Sequence, residues 1–281
     1  MREQKRCAQL HTSSETATTP VCGKRGGKHT MKLVGPSANP SLAFTNSLRG
    51  RDNGVPFSIQ KEQVGELLVT SGSIIACDPY FLPLSRPKPY TTKIPPGRYP
   101  VFVSGIQSEG ICGGRVAFAQ VQLSKQEGVR WEMALRPGED VSTLAPDHFF
   151  GYGVDSGTSC FLDQDVQAWL LEQFKARGYA DWSPPQTQEE AEAWQKRWEA
   201  MTAFFYDQVG DPLLRILESS RLGAGSMTLK SPTGGNIVAF HSGYGDGSYP
   251  SYFLYTAEGS LSSLITDFGI FQDVEWDSPL S

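Results

Sequence analysis

The sequence predicts an α+β protein: a mostly antiparallel β-sheet or sandwich with two or three helices inserted in mid-chain. Three observations lead there. Gly (29) and Pro (19) make up about one residue in six of the 281, which favours many turns and short strands. Segments with period-two alternation lie on both sides of the middle of the chain, and their connections are too short for helical crossovers. The stretch 163–223 switches to helical spacing with recognisable caps. A composition of 39% hydrophobic and 20% charged residues is that of an ordinary globular chain.

The elements follow in order. Residues 1–30 are rich in Ser, Thr, Gly and basic side chains without an apolar run, and read as a disordered head. Residues 31–62 read as a loop-rich lead-in, punctuated by Gly-Pro, Asn-Pro and Asp-Asn-Gly. Leu67-Leu68-Val69 and Ile74-Ile75-Ala76 read as one strand bent at Gly72, ending at Asp78-Pro79. Gly97 to Val103, Val116 to Leu123 and Val129 to Leu135 continue an antiparallel meander. Residues 149–163 alternate so that Cys160 falls on the core side and Asp155 on the opposite side.

Asp163 then caps a helix whose Val166, Trp169, Leu170 and Phe174 share a face, and Gly178 stops it. Thr187 and Glu190 have the spacing of a capping box, and Trp194, Trp198, Met201 and Phe205 form an apolar stripe behind them. Asp211-Pro212 opens a third helix ending near Gly223. Strands return at Asn236–His241 and Tyr249–Tyr255, and Ala257-Glu258-Gly259 turns the chain into Leu261–Phe268. The expected organisation is one α+β domain over 63–281 with a helical insert at about 163–223.

Charge and cysteine content restrict the function classes. The net charge of −5 divides into +4 over residues 1–30 and −9 over the remainder, a poor balance for nucleic-acid binding. No run of about 18 apolar residues suggests a membrane span, and the head lacks the apolar core of a secretory signal. Met31 offers an alternative start. The five cysteines (Cys7, Cys22, Cys77, Cys112, Cys160) are odd in number and show no CxxC, which argues against a disulfide framework or a zinc cluster and for the cytoplasm.

Two segments gather the unusual residues: 151–160, with Asp155 and Ser156 among glycines, and 241–252, with Asp246 among Tyr244, Tyr249 and Tyr252. Taken singly, each Asp fits an Asx-turn that caps its own loop. Taken together at one sheet edge, they suggest three chemistries. A Tyr/Gly surface with carboxylates suits a basic protein partner or a small polar ligand. Asp155 and Asp246, with Asp163 or Asp267, suggest a divalent cation, the only cofactor the residues point to, although no loop motif supports it. Cys160 with His241 and Asp246 has the residue types of a thiol triad, against which stands the apolar setting of Cys160. The expectation is a non-catalytic binding protein of the accessory or immunity kind; the alternative is a hydrolase using either the carboxylates or Cys160 with His241.

At these segments the chain resembles a known family. Residues 151–163, 243–252 and Leu264-Ile265-Thr266-Asp267-Phe268-Gly269, with Gly97-Arg98-Tyr99-Pro100-Val101 and Phe118-Ala119-Gln120-Val121, are similar to domain-of-unknown-function family 4241, over about 65–275. Relatives often show Gly followed by Tyr-Asp where this chain has Leu254-Tyr255-Thr256. The resemblance implies a bacterial, cytoplasmic, single-domain protein and attaches no reaction to it.

Overall fold

The computed structural model describes residues 34–110, 112–178 and 185–277. The expected disordered head, Met31, Cys7 and Cys22 lie outside the described residues.

Folded chain begins earlier than residue 63. A strap over residues 34–48 contains one helical turn, α1 (Pro40–Ala43), capped by the Asn39 side chain, which accepts from Ser41 N at 3.0 Å. Strands β1 (Arg49–Asp52) and β2 (Val55–Val69) then form a hairpin. The expected loop at 31–62 is therefore corrected. Asn53 and Gly54, with φ of 49° and 81°, are the two left-handed residues that a tight hairpin turn requires, so the Asp-Asn-Gly signal marks a turn between strands. The polar run Gln60–Gln63 hides the alternation of β2, which shows only at its ends, Phe57 and Ile59 and then Leu67 and Val69.

A second correction lies at Ser71-Gly72. The apolar runs on either side are two strands in two sheets, because Gly72 (φ 73°) turns the chain out of β2 into β3 (Ile74–Cys77). β4 (Gly97–Ser108), β5 (Val116–Gln122) and β6 (Arg130–Met133) follow as expected. The 149–163 segment also divides, into β7 (Gly151–Val154) and β8 (Thr158–Asp163), which join different sheets.

The helical insert comprises α3 (Gln164–Ala176), α4 (Gln188–Phe205) and α5 (Asp211–Ser219); a short turn, α2 (Leu82–Ser85), precedes them in the chain. Asp163 and the Thr187/Glu190 capping box start α3 and α4 as the sequence predicts. Five residues of π geometry, Tyr206–Gly210, carry α4 into α5 without a break. Only Met201 and Phe205 of the α4 stripe are fully buried; Trp194 and Trp198 stack on each other at 5.7 Å. The remaining strands are β9 (Ala224–Thr228), β10 (Asn236–His241), β11 (Gly247–Tyr255), β12 (Leu261–Asp267) and β13 (Glu275–Trp276).

The large sheet has the order β13-β1-β2-β4-β5-β12-β11-β6, with β7 added on β11; the small sheet has the order β3-β8-β10-β9. Every pairing is antiparallel. The sheets face each other across one core, where Val101, Val121, Leu264 and Phe253 meet Phe161, Val238 and Phe240. Alternation sends Ile75, Cys160, Leu162 and Ala239 to the other face of the small sheet, and the helices cover them with Leu170, Phe174, Phe205 and Leu213. Truncating a fully buried ring such as Phe161 removes about 3–5 kcal/mol.

The outer face of the large sheet has a different cover. Phe44 of the strap packs edge-on to Phe118 at 6.2 Å, and Phe271 stacks on Phe57 and Phe118 at 5.8 and 5.9 Å. Tyr252 hydroxyl donates to Val34 O at 3.2 Å. Asp267, almost fully buried, accepts from Ser37 N, Ser37 Oγ and Gly269 N, which ties strap and tail to β12. No helix among the described residues is long and apolar enough to cross a membrane.

Candidate functional site

The two glycine-rich segments do come together. β7 pairs with the start of β11, in the register Gly247↔Val154 and Tyr249↔Tyr152. Beyond the ladder, Ser242 N donates to Gly157 O at 3.0 Å, and Gly157 N donates to Asp246 Oδ1 at 3.0 Å. The result is a double rim made of the 155–157 and 242–247 turns. Asp155, Ser156, Asp246 and Ser248 are exposed there, with Tyr244 at 51% the most exposed ring.

The first turn is held by a residue that sequence reasoning took only as the end of a strand. Asp78 is 3% exposed and accepts four hydrogen bonds: Asp155 N at 3.0 Å, Ser156 N at 2.8 Å, Ser156 Oγ at 2.8 Å and Tyr80 N at 2.9 Å. Burial pushes its carboxyl pKa up, against the pull of those donors. The available signal was its place: a carboxylate between the apolar run Ile74–Cys77 and Pro79 needs nearby donors to be buried.

The second turn is held by Tyr249. Its hydroxyl donates to Gly245 O at 2.8 Å and Ser242 O at 3.1 Å. Gly243 sits at φ 51°, and a Cβ there would meet the Phe268 Cβ at 2.7 Å, so this turn accepts no side chain. Arg115 donates to Gly243 O at 2.9 Å and lies over the Tyr244 ring at 4.8 Å.

These placements correct the expected binding set. Asp155, Ser156, Asp246 and Tyr244 are presented at one rim. Tyr249 is 8% exposed and works inside its own turn. Tyr252 is fully buried on the outer face of the large sheet, edge-on to Trp131 at 5.4 Å, and takes no part in the rim.

The expected cation set does not assemble. Asp163 lies at the far end of β8 from the Asp155 turn, and six strand residues span about 17–20 Å. It accepts from Thr70 N, Ser71 N, Ser71 Oγ and Asp165 N, capping α3 and pinning the β2–β3 corner. Among the described residues no three His, Cys, Asp or Glu side chains converge as metal ligands.

The thiol triad fails for a different reason. Cys160 and His241 share a face of the small sheet, with Cys160 opposite Ala239 and His241 opposite Thr158. Cys160 is fully buried with its Sγ 3.7 Å from Cys77 Sγ, and burial raises its pKa well above the ordinary thiol value. His241 stands at the exposed strand end, its ring against Gly223, and burial lowers its pKa. No hydrogen bond joins the two among the described residues.

A family model described as a protein of unknown function (DUF4241) matches residues 67–266, well over half of the chain. The chain belongs to the DUF4241 family. The matched region runs from late β2 to the end of β12 and includes both rim turns, all three insert helices and Asp78. No curated protein and no solved structure matches the chain.

Proposed function

We propose that this DUF4241 protein acts by binding a basic protein partner, in the cytoplasm, through the rim formed by the 155–157 and 242–247 turns. The observation that carries this reading is the cross-bracing of the rim. Two turns some ninety residues apart are locked by β7–β11 pairing, Asp78, Asp246 and Tyr249, while Asp155, Ser156 and Tyr244 stay on the surface. A prelocked loop loses little conformational freedom on binding. An exposed tyrosine beside carboxylates offers contact area and charge to a cationic side chain. The −9 balance outside residues 1–30 favours encounter with a cationic partner.

The alternative, hydrolysis through Cys160 and His241 or through a carboxylate-held cation, has no comparable support. Its thiol is buried and held protonated, and Asp163 is committed to capping at the other end of β8.

The test is fluorescence anisotropy of a lysine- and arginine-rich peptide at low and moderate salt. Binding is expected to weaken as salt rises, and Asp155→Asn with Tyr244→Ala to weaken it by about tenfold, or 1.4 kcal/mol. Equal affinity of wild type and double variant removes the rim as the contact surface.

A further inference from the structure

A groove remains between the strap and the outer face of the large sheet. Its floor comes from alternate residues of neighbouring strands. Gln120 and Gln122 stand two apart on β5, and Ser263 of β12 lies opposite Gln122. Lys61 of β2 joins the same face, opposite Ser104. α1 with Phe44 forms one wall, and the 124–128 turn forms the other. The volume is about 170 Å³. An engineered protein cavity of about 150 Å³ takes benzene, so roughly six to nine non-hydrogen atoms fit here. A wider hollow of about 440 Å³ over Trp131 and Arg130 adjoins it and shares Ser41, Glu127 and Leu254 with it.

Two independent observations point to an occupant of the narrower groove. Ser263 is 0% exposed, yet its Oγ has no hydrogen-bond partner among the described residues, and neither has the buried Gln120 Oε1. A buried polar atom without a partner costs about 1–3 kcal/mol and is rare in folded proteins. The second observation is the setting of Lys61. Its Nζ lies 4.3 Å from the Phe102 ring centroid and 5.8 Å from that of Phe44. Burial lowers its pKa, and no carboxylate is close enough to offset that. Glu127, the acid at the mouth, already accepts from Ser41 Oγ.

We propose that this groove binds a small polar monocarboxylate of amino-acid size, with its carboxylate on the Lys61 ammonium and its remaining polar atoms on the Gln120 amide and the Ser263 hydroxyl. Lys61 and Lys125 with Glu127 leave the lining one net positive charge, which matches one negative charge. The groove residues include no guanidinium of the kind that pairs two-pronged with phosphate. Phe44 and Leu254 supply an apolar edge for the carbon skeleton. The inference stands apart from the rim, since none of its residues belongs to the two turns.

The full chain is titrated calorimetrically with a fixed panel: the twenty protein amino acids, acetate, lactate, benzoate, their neutral amides, and inorganic phosphate. At least one carboxylate is expected to bind with Kd of about 1 mM or tighter, and its amide about tenfold more weakly. Lys61→Met and Gln120→Leu are each expected to weaken that binding about tenfold, or 1.4 kcal/mol, with the circular dichroism spectrum unchanged. Lys61→Gln serves if Lys61→Met does not fold. A panel in which no carboxylate binds overturns the proposal. So does binding of phosphate alone, or carboxylate affinity that is equal in wild type and the Lys61 variants.

Discussion

The rim and the outer groove use polar residues in opposite ways. At the rim nearly every conspicuous group serves the fold: Asp78 gathers four donors, Asp246 takes the Gly157 amide, and Tyr249 clamps two carbonyls. In the groove, strand side chains that draw no notice in the sequence leave Ser263 Oγ and Gln120 Oε1 without partners. A saturated loop is rigid and offers only its outermost atoms to another molecule. An unsaturated groove has hydrogen-bonding capacity in reserve. Density of Gly, Asp and Tyr therefore marks where the backbone needs support, and does not by itself tell which of those groups reach the surface to meet another molecule.

The contrast is broken most forcefully at Asp78. Asp78→Ala leaves three main-chain amides and a hydroxyl without their acceptor and is expected to cost about 2–4 kcal/mol in urea unfolding. A cost below about 0.5 kcal/mol would mean that water replaces the carboxylate and that the rim is not saturated after all. Next comes Gly243→Ala, expected to cost about 1–3 kcal/mol through the left-handed φ and the clash with Phe268. A melting temperature unchanged from wild type would show the second turn to be pliable.

The pH dependence of Asp267 extends the comparison to the strap. Burial raises its pKa, so the folded state holds this proton more tightly than the unfolded chain does. Its stabilising contribution is greatest below about pH 4 and declines as pH rises through the raised pKa. The deficit of Asp267→Asn relative to wild type, from urea unfolding at each pH, is accordingly larger near pH 4 than near pH 7. The smallest effect is expected at Ser263→Ala. Removing an unpaired buried hydroxyl should raise the stability of the ligand-free protein by about 0.5–1 kcal/mol, where a saturated site would lose stability.

Much of this architecture is legible from local chemistry. Helix starts at Asp163 and Thr187, the Gly259 hairpin and the Cys160 face all follow from short-range rules, and the structure has them. What escapes is set by partners distant in sequence. β2 hides because its polar stretch faces β4 and the strap. The break at Gly72 depends on Asp163, ninety residues on, receiving the Ser71 amide and hydroxyl. Meeting of the two rim segments is readable as a juxtaposition, yet the exclusion of Tyr249 and Tyr252 from its surface is not. Both faces of β11 are covered, and alternation alone does not say so. For Asp78 the sequence shows a carboxylate that needs donors but not which ones, since its four donors come from two separate segments.

The pairing of β5 with β12 has a consequence for how the protein is made. β5 lies at residues 116–122, and its neighbour lies at 261–267. A ribosome that has reached the end of the helical insert has already released six strands of the large sheet, but β5 is still an open edge whose amides and carbonyls face water. Until the last fifty or so residues emerge, that edge is a template for any passing strand. Truncated or slowly translated copies are therefore the forms most prone to clump, and a chaperone that shields an unpaired strand has more to offer this chain than one that shields loose helices.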